Sequence, residues 1–485
     1  MVMVIFGSGL GLSAANAASE ASPSGPVRCE RDRALRTGPT GGAFYATVAP
    51  FEHFGSGRTQ VFPATCSLRE LTGSARPAIT SRRAPGDYST PYIAATRDRG
   101  ELFVYGYRPD AVTEGAYVAR VDTRNLRETW RTPILDRSPA EGWSYPGVML
   151  SHGNGFLYAI YGNAVVKLDP RTGRTLARTE LPEDPAQTGA AYNGMIVMPD
   201  GRIVAKKIER GPCPVRIGPT APTGAIAGLT CASANALPSV MVVLDPRRLR
   251  IVSRLVPPEP LTGRITAGRL DGRDYIYGAG TDSLIRFRYR EGRLRLDREW
   301  GPVPYRTGAG KPGTGPGIMG GFVVVQTNFI ASEEPLTVTA VSVRNPDRVF
   351  RIRPFPDSAE SWIVSKPAVD RAKMTVVTHD TAAGRMAALK LDPRRGFRLK
   401  WTREITSLAF SALVGPARDR QVVIPDQGGD GDEVVWLSER TGAELARSAP
   451  LAGSPAPGNI VTPGFGGRFY YLSFDGRLWE LRPER

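Results

Sequence analysis

Leu168-Asp169-Pro170-Arg171-Thr172-Gly173 reads as one tight hairpin joining two strands. The Asp carboxylate accepts from backbone N–H groups just ahead of it, Pro presets φ, and Gly takes the left-handed position. Apolar and polar residues alternate on either side, as in an antiparallel strand pair. Variants of the hairpin recur as Val121-Asp122-Thr123-Arg124-Asn125, Leu244-Asp245-Pro246-Arg247-Arg248 and Tyr289-Arg290-Glu291-Gly292. Later come Arg344-Asn345-Pro346-Asp347, Leu391-Asp392-Pro393-Arg394-Arg395-Gly396 and Leu437-Ser438-Glu439-Arg440-Thr441-Gly442.

With Asp122, Asp169, Asp245, Arg288, Arg344, Asp392, Ser438 and Glu480 as equivalent positions, the steps are 47, 76, 43, 56, 48, 46 and 42 residues. The long step contains an insertion between Cys213 and Cys231. A period of roughly 40–50 residues with four short strands per unit is that of a β-propeller blade. No segment sustains the i, i+3, i+4, i+7 pattern that a helical repeat requires. The fold class is therefore all-β, a propeller of eight blades, with seven left open by the soft registers at 288 and 344. The chain stops near Trp479-Glu480-Leu481, where a third strand would end. A closed ring then needs a strand from the N-terminal region, for which Phe44 to Phe51 is the available donor, and closure removes exposed edges. The chain divides into a signal peptide at 1–17, an N-terminal extension at 18–87 that carries the closing strand, and the propeller at 88–485.

The Leu-Asp-x-x-Thr-Gly hairpin at 168–173 resembles that of the PQQ-like, quinoprotein-alcohol-dehydrogenase-like propellers. In that superfamily a Trp often stands eight residues after the Asp and docks blade on blade. Trp130 stands eight after Asp122, and Trp401 nine after Asp392. The resemblance covers about residues 88–485 and implies the fold. A working quinone dehydrogenase of this kind would hold PQQ over calcium with a catalytic Asp, commonly beneath two adjacent cysteines. No two cysteines are adjacent here. The reading is therefore of a propeller without PQQ, with no cofactor expected and a divalent metal left open. Tyr192-Asn193-Gly194 followed by Pro199-Asp200-Gly201 is similar to a stretch of the gluconolactonase-like propellers, in which the Asn ligates a divalent metal. No companion Glu and Asp align with it.

Composition narrows the class further. The 485 residues carry 63 Lys+Arg against 47 Asp+Glu, a formal net charge of +16, and 41% are hydrophobic, which excludes a disordered chain. Only 8 of the basic residues are Lys, and the arginines are spread. Arg286, Arg288, Arg290, Arg293 and Arg295 alternate along one hairpin, which puts them on a solvent face and argues against a specific nucleic-acid groove. Attraction to an anionic cell-surface polymer fits that distribution better. Met1 to Leu12 is a short apolar run followed by Ala15-Asn16-Ala17, the pattern of a secretory signal, although no Lys or Arg precedes it. Cys29, Cys66, Cys213 and Cys231 suit two disulfides in an exported chain. Three connectivities are open. Local pairing, Cys29 with Cys66 and Cys213 with Cys231, is the expected one. The expected location is secreted, extracellular, without a membrane span and monomeric.

Residues leading into the innermost strands of a propeller converge on one mouth of its central channel. Here they are Tyr92, Tyr145, Tyr192 with Asn193, Arg264, Lys366, Ser411 and Asn459. Aromatic faces, amides and two cations suit a polar or anionic small ligand. His53, His152 and His379 read as turn histidines, and Asp426, Asp430, Asp432 and Glu433 as an acidic hairpin tip rather than a calcium loop. No Ser-His-Asp set, phosphate loop or carboxylate pair can be placed by spacing. The expectation is an exported, non-catalytic binding or scaffold module whose partner is a small polar ligand, a protein or a surface polymer. The alternative is a propeller enzyme, either a metal-dependent lactonase or lyase built on Asn193 or a divergent sugar dehydrogenase.

Overall fold

The computed structural model describes residues 29–88, 91–107, 115–135, 147–182, 191–210, 236–329, 332–453, 459–473 and 475–484. The Cys213–Cys231 pairing, the signal segment and Tyr145 lie outside them. Eight antiparallel sheets form, each built mainly from consecutive strands. Their first strands are Pro91–Thr96, Val148–Ser151, Ala191–Val197, Leu261–Leu270, Gly317–Met319, Ala368–Asp370, Ala412–Val414 and Thr462–Pro463. First strands of neighbouring blades touch, so they line the axis of an eight-bladed propeller. They and the second and third strands are largely buried, whereas an outer strand such as Thr175–Glu180 alternates exposed and half-buried residues. This is the sequence alternation expressed as burial.

The hairpin chemistry works as the residues dictate. Asp169 Oδ1 accepts from the N–H groups of Arg171 (2.8 Å) and Thr172 (3.2 Å), and Asp392 Oδ1 does the same for Arg394 and Arg395. Gly173, Gly396 and Gly442 close their turns at φ +75°, +88° and +71°. All eight repeat markers fall in, or within two residues of, the third strand of a blade.

Neighbouring blades are keyed through those turns. Trp130 Nε1 on blade one donates to Pro170 O in the turn of blade two (3.3 Å), and a Cβ at Gly173 would lie 2.7 Å from the indole. Trp401 on blade six repeats the arrangement on blade seven, with Nε1 donating to Glu439 O (2.9 Å) and Gly442 beneath the ring. Trp300, which spacing did not single out, donates to Ser342 O from blade four to blade five (2.9 Å). Arg286 departs from the solvent-face reading of its hairpin. It is buried, bonded to Asp297 (2.8 Å), and its guanidinium lies over the rings of Tyr275 and Trp300.

The last blade takes its fourth strand from the other end of the chain. Ile79–Arg83 pairs antiparallel with Leu478–Pro483, from Ile79 opposite Pro483 to Arg83 opposite Trp479. Phe44 to Phe51 is not that strand. It makes single bridges to blade two instead, Phe44 with His152 and Phe51 with Leu150. Its side chains have a better partner there, since Phe51 is buried among Leu150, Tyr192 and Met195. No helix among the described residues is long and apolar enough to cross a membrane.

Candidate functional site

Three of the first strands carry a register break near their starts. Pro91 pairs with Gly106 and Ile93 with Tyr105, which leaves Tyr92 unmatched. Tyr192 pairs with Lys207 and Gly194 with Lys206, leaving Asn193 unmatched. Between Leu261 and Ile265 a longer break contains Arg264. An extra residue in one strand bends the ladder locally and re-aims its side chain. In this way three separate blades contribute a polar side chain to one end of the axis.

The other end is closed by the chain itself. Ala49 to Phe62 runs round the axis at or near the C-terminal ends of the first strands. It accepts from Thr96, Ser151, Ala267, Ile318, Val369 and Leu413 through the carbonyls of Ala49, Pro50, Ser56, Gly57, Thr59 and Gln60. Ser56 Oγ adds a bond to Val197 O (2.7 Å). Seven of the eight blades are thereby tied to one segment. Phe54, Arg58 and Gln60 sit at φ +72°, +47° and +64°, a conformation that side-chain-bearing residues adopt only when their surroundings hold them there.

What holds them is a buried polar cluster. Glu52 Oε1 accepts from Arg58 Nη1 and Arg264 Nη1, both at 2.5 Å. Arg58 also donates to Ile265 O and Met195 O, and Arg264 Nη2 to the Tyr92 hydroxyl (3.0 Å). Lys366 Nζ donates to Arg58 O (2.5 Å) and Lys206 Nζ to Leu261 O (3.0 Å). Two guanidiniums and two buried amines thus lie around one axial carboxylate. Burial, followed by the nearby guanidiniums, holds both lysines well below the usual amine range, and burial with Arg58 alongside does the same to His53. Burial brings Arg58 down to about 10. Glu52 Oε2, both ring nitrogens of His53, and Asn193 Oδ1 are buried without a hydrogen-bond partner.

Of the residues anticipated at the mouth, Tyr92 and Arg264 join this cluster directly, Lys366 joins it through Arg58, and Asn193 stands at its bulge beside them. Ser411 contributes its carbonyl, which accepts from Gln60 Nε2 (2.9 Å). Tyr192 turns away, its hydroxyl donating to Pro182 O (2.8 Å) and its ring lying in the core of blades two and three. Asn459 is a structural residue that donates to Leu472 O and accepts from Ile460 N. Glu52, His53, Arg58, Gln60 and Lys206 were not anticipated. Apart from Lys206, which sits in strand Ile203–Arg210, their one local signal is a run of charged and polar residues set among Phe51, Phe54, Gly55 and Gly57 without strand alternation.

The remaining candidates have local roles. His152 Nε2 lies 2.7 Å from Gly201 O, its Nδ1 accepting from Asn154 N, and buried His379, its pKa lowered to about 4 by desolvation, stands 3.4 Å from Ser365 Oγ. Asp426 and Glu433 are bound by Arg447, and Asp432 accepts from the Tyr471 hydroxyl. Among the described residues no three His, Cys, Asp or Glu side chains are grouped to share an ion. The axial donors do not fit a calcium-bound quinone. Their one carboxylate is already taken by two guanidiniums, and the neighbours are cations that repel a metal ion.

Cys29 and Cys66 form a disulfide that ties the short helix Glu30–Ala34 to a second short helix, Leu68–Thr72. No protein-family model matches the sequence, and neither does any curated protein. Among solved structures, the europium-containing methanol dehydrogenase superposes over 91% of this chain and 98% of its own, with a TM-score of 0.54 at 10% identity. BamB from Moraxella catarrhalis gives 0.48 at 14% identity over 83% of this chain and 98% of its own. A quinohemoprotein alcohol dehydrogenase from Comamonas testosteroni gives 0.43 at 13% identity over 95% and 84%. The likeness is one of architecture: the chain has an eight-bladed propeller fold, which it shares with the methanol dehydrogenase.

Proposed function

We propose that this protein is an exported, non-catalytic binding module that receives a small polar or anionic ligand at the strand-start end of its axis. The observation that carries the reading is the pair of guanidiniums, Arg58 and Arg264, that share one carboxylate behind Tyr92 and Asn193, on a floor made by the chain's own Ala49–Phe62 segment. Tyr92, Asn193 and Arg264 retain 5, 7 and 8% exposure, against 0–2% for Arg58, Lys206 and Lys366 beneath them. Two guanidiniums set against one carboxylate leave a positive surplus that favours an incoming anion. A site whose single carboxylate is locked between guanidiniums holds charge and does not relay protons. The Cys29–Cys66 disulfide is consistent with an oxidising, extracellular setting.

Calorimetric titration of the full chain with citrate and with galacturonate tests this. Saturable binding is expected. An Asn193→Asp variant, which sets a negative charge at the mouth, should bind at least tenfold more weakly while its unfolding free energy stays within about 1 kcal/mol of the original. Equal affinity of the variant, or stoichiometric metal or quinone in protein purified from its native secretion route, would overturn the proposal.

A further inference from the structure

On the face closed by the Ala49–Phe62 segment, well away from the mouth just described, blades six and seven flank a cavity of about 370 Å³. Arg69 comes from the helix Leu68–Thr72, Lys373 from the first turn of blade six, and Arg418 and Arg420 from the first turn of blade seven and the residue after it. Arg440 comes from the third turn of blade seven. Two carboxylates, Glu70 and Asp419, share the wall with these five cations.

The cations divide into two layers. Arg420 and Lys373 form the back and are spent on their own partners. Arg420 Nε bonds Asp370 (2.9 Å), and Lys373 Nζ bonds Glu439 (2.9 Å), which also holds Lys400 (3.1 Å). Arg69 and Arg440 are exposed, and among the described residues neither meets a carboxylate or makes a side-chain hydrogen bond. Arg418 reaches Glu70 only at 3.5 Å, and Glu70 is already shared with Arg31 and with the backbone N–H of Ser67. Guanidinium groups from three separate elements therefore face one cavity with little to neutralise them.

The backbone that carries Arg69 is firmly anchored. Ser67 and Glu70 cap the short helix reciprocally, Leu68 N donates to Gln421 Oε1 (3.1 Å), and the Cys29–Cys66 disulfide ends one residue before the cap. Guanidinium groups that converge on one point recognise tetrahedral oxyanions, whose oxygens accept several N–H bonds at once.

We infer that this cavity is a second binding site, for a phosphate or sulfate monoester group, with Arg69, Arg418 and Arg440 as its ligands. It stands apart from the axial site, and either can fail without the other. The test titrates the full chain with inorganic phosphate and, in a parallel arm, inorganic sulfate, following arginine Nε–H resonances or heat. Saturable binding is expected. An Arg69→Ser/Arg440→Ser double variant, altering only exposed side chains, should lose at least tenfold in affinity with unfolding unchanged. Asp419→Asn, which removes a competing negative charge, should bind severalfold more tightly. A preference for phosphate or for sulfate between the two arms names the ester. Absence of saturable binding in both arms, or a double variant that binds as the original does, would sink the inference.

Discussion

Glu52 is the residue on which the axial cluster turns. Two guanidiniums from distant parts of the chain meet on one of its oxygens, and it is 2% exposed. Removing its charge leaves Arg58 and Arg264 buried and uncompensated, so Glu52→Gln is expected to cost about 3–5 kcal/mol in urea unfolding, although the shape is kept. Asp432 offers a second single-residue test. Burial, reinforced by Asp426 and Asp475, raises its pKa to about 7, and the Tyr471 hydroxyl bonds its Oδ2. The folded chain therefore retains a proton that the unfolded chain releases near 3.8. The stability this group supplies is present below about pH 3.8, falls as the pH rises towards 7, and is gone above it. Melting curves of Asp432→Asn against the original should converge at pH 4, with the variant relatively more stable at pH 8. Neither residue's role was legible in the sequence. Arg58 bonds partners 137 and 207 residues away, and Lys366 reaches Arg58 across 308, so no local pattern encodes these contacts.

The element that sequence resolves best is the hairpin, because its chemistry is contained in six consecutive residues. Asp, Pro and Gly each act on their own turn, and the structure places them as their chemistry requires. The Trp that follows was legible through the resemblance to the PQQ-like propellers, which implies that Trp130 and Trp401 dock on the next blade, and both meet its turn. Where the glycine of the turn is replaced, the signal softens: Leu126 and Leu249 take positive φ with a side chain. The bulges at Tyr92, Asn193 and Arg264 were legible only as strand starts, since the register break depends on the partner strand. At this scale the Trp401–Gly442 contact makes a sharp case. Gly442→Ala would put a methyl 2.7 Å from the indole at φ +71°. It should destabilise strongly alone, and less in a Trp401→Ala background, where only the backbone strain remains. A chemical-denaturation double-mutant cycle reads the difference.

For the molecule as a whole, repeat spacing settled the architecture and a missing strand announced the need for closure. It pointed to Phe44 to Phe51 as the closing strand and missed Ile79–Arg83, because a five-residue strand carries little pattern of its own. Ile79–Arg83 closes the sheet, while Phe44 to Phe51 leads into the segment that seals the axis. Deleting residues 79–83 should leave Leu478–Pro483 as a bare edge, and light scattering should then report more self-association than the full chain shows.

Thr80 and its partner Arg482 are 402 positions apart. At a synthesis rate of about 5–20 residues per second, the earlier strand waits on the order of 20–80 s for its mate to emerge from the ribosome. Throughout that interval it is an open template for any stray strand, and Arg82 and Arg83, together with its five-residue length, make it a poor one.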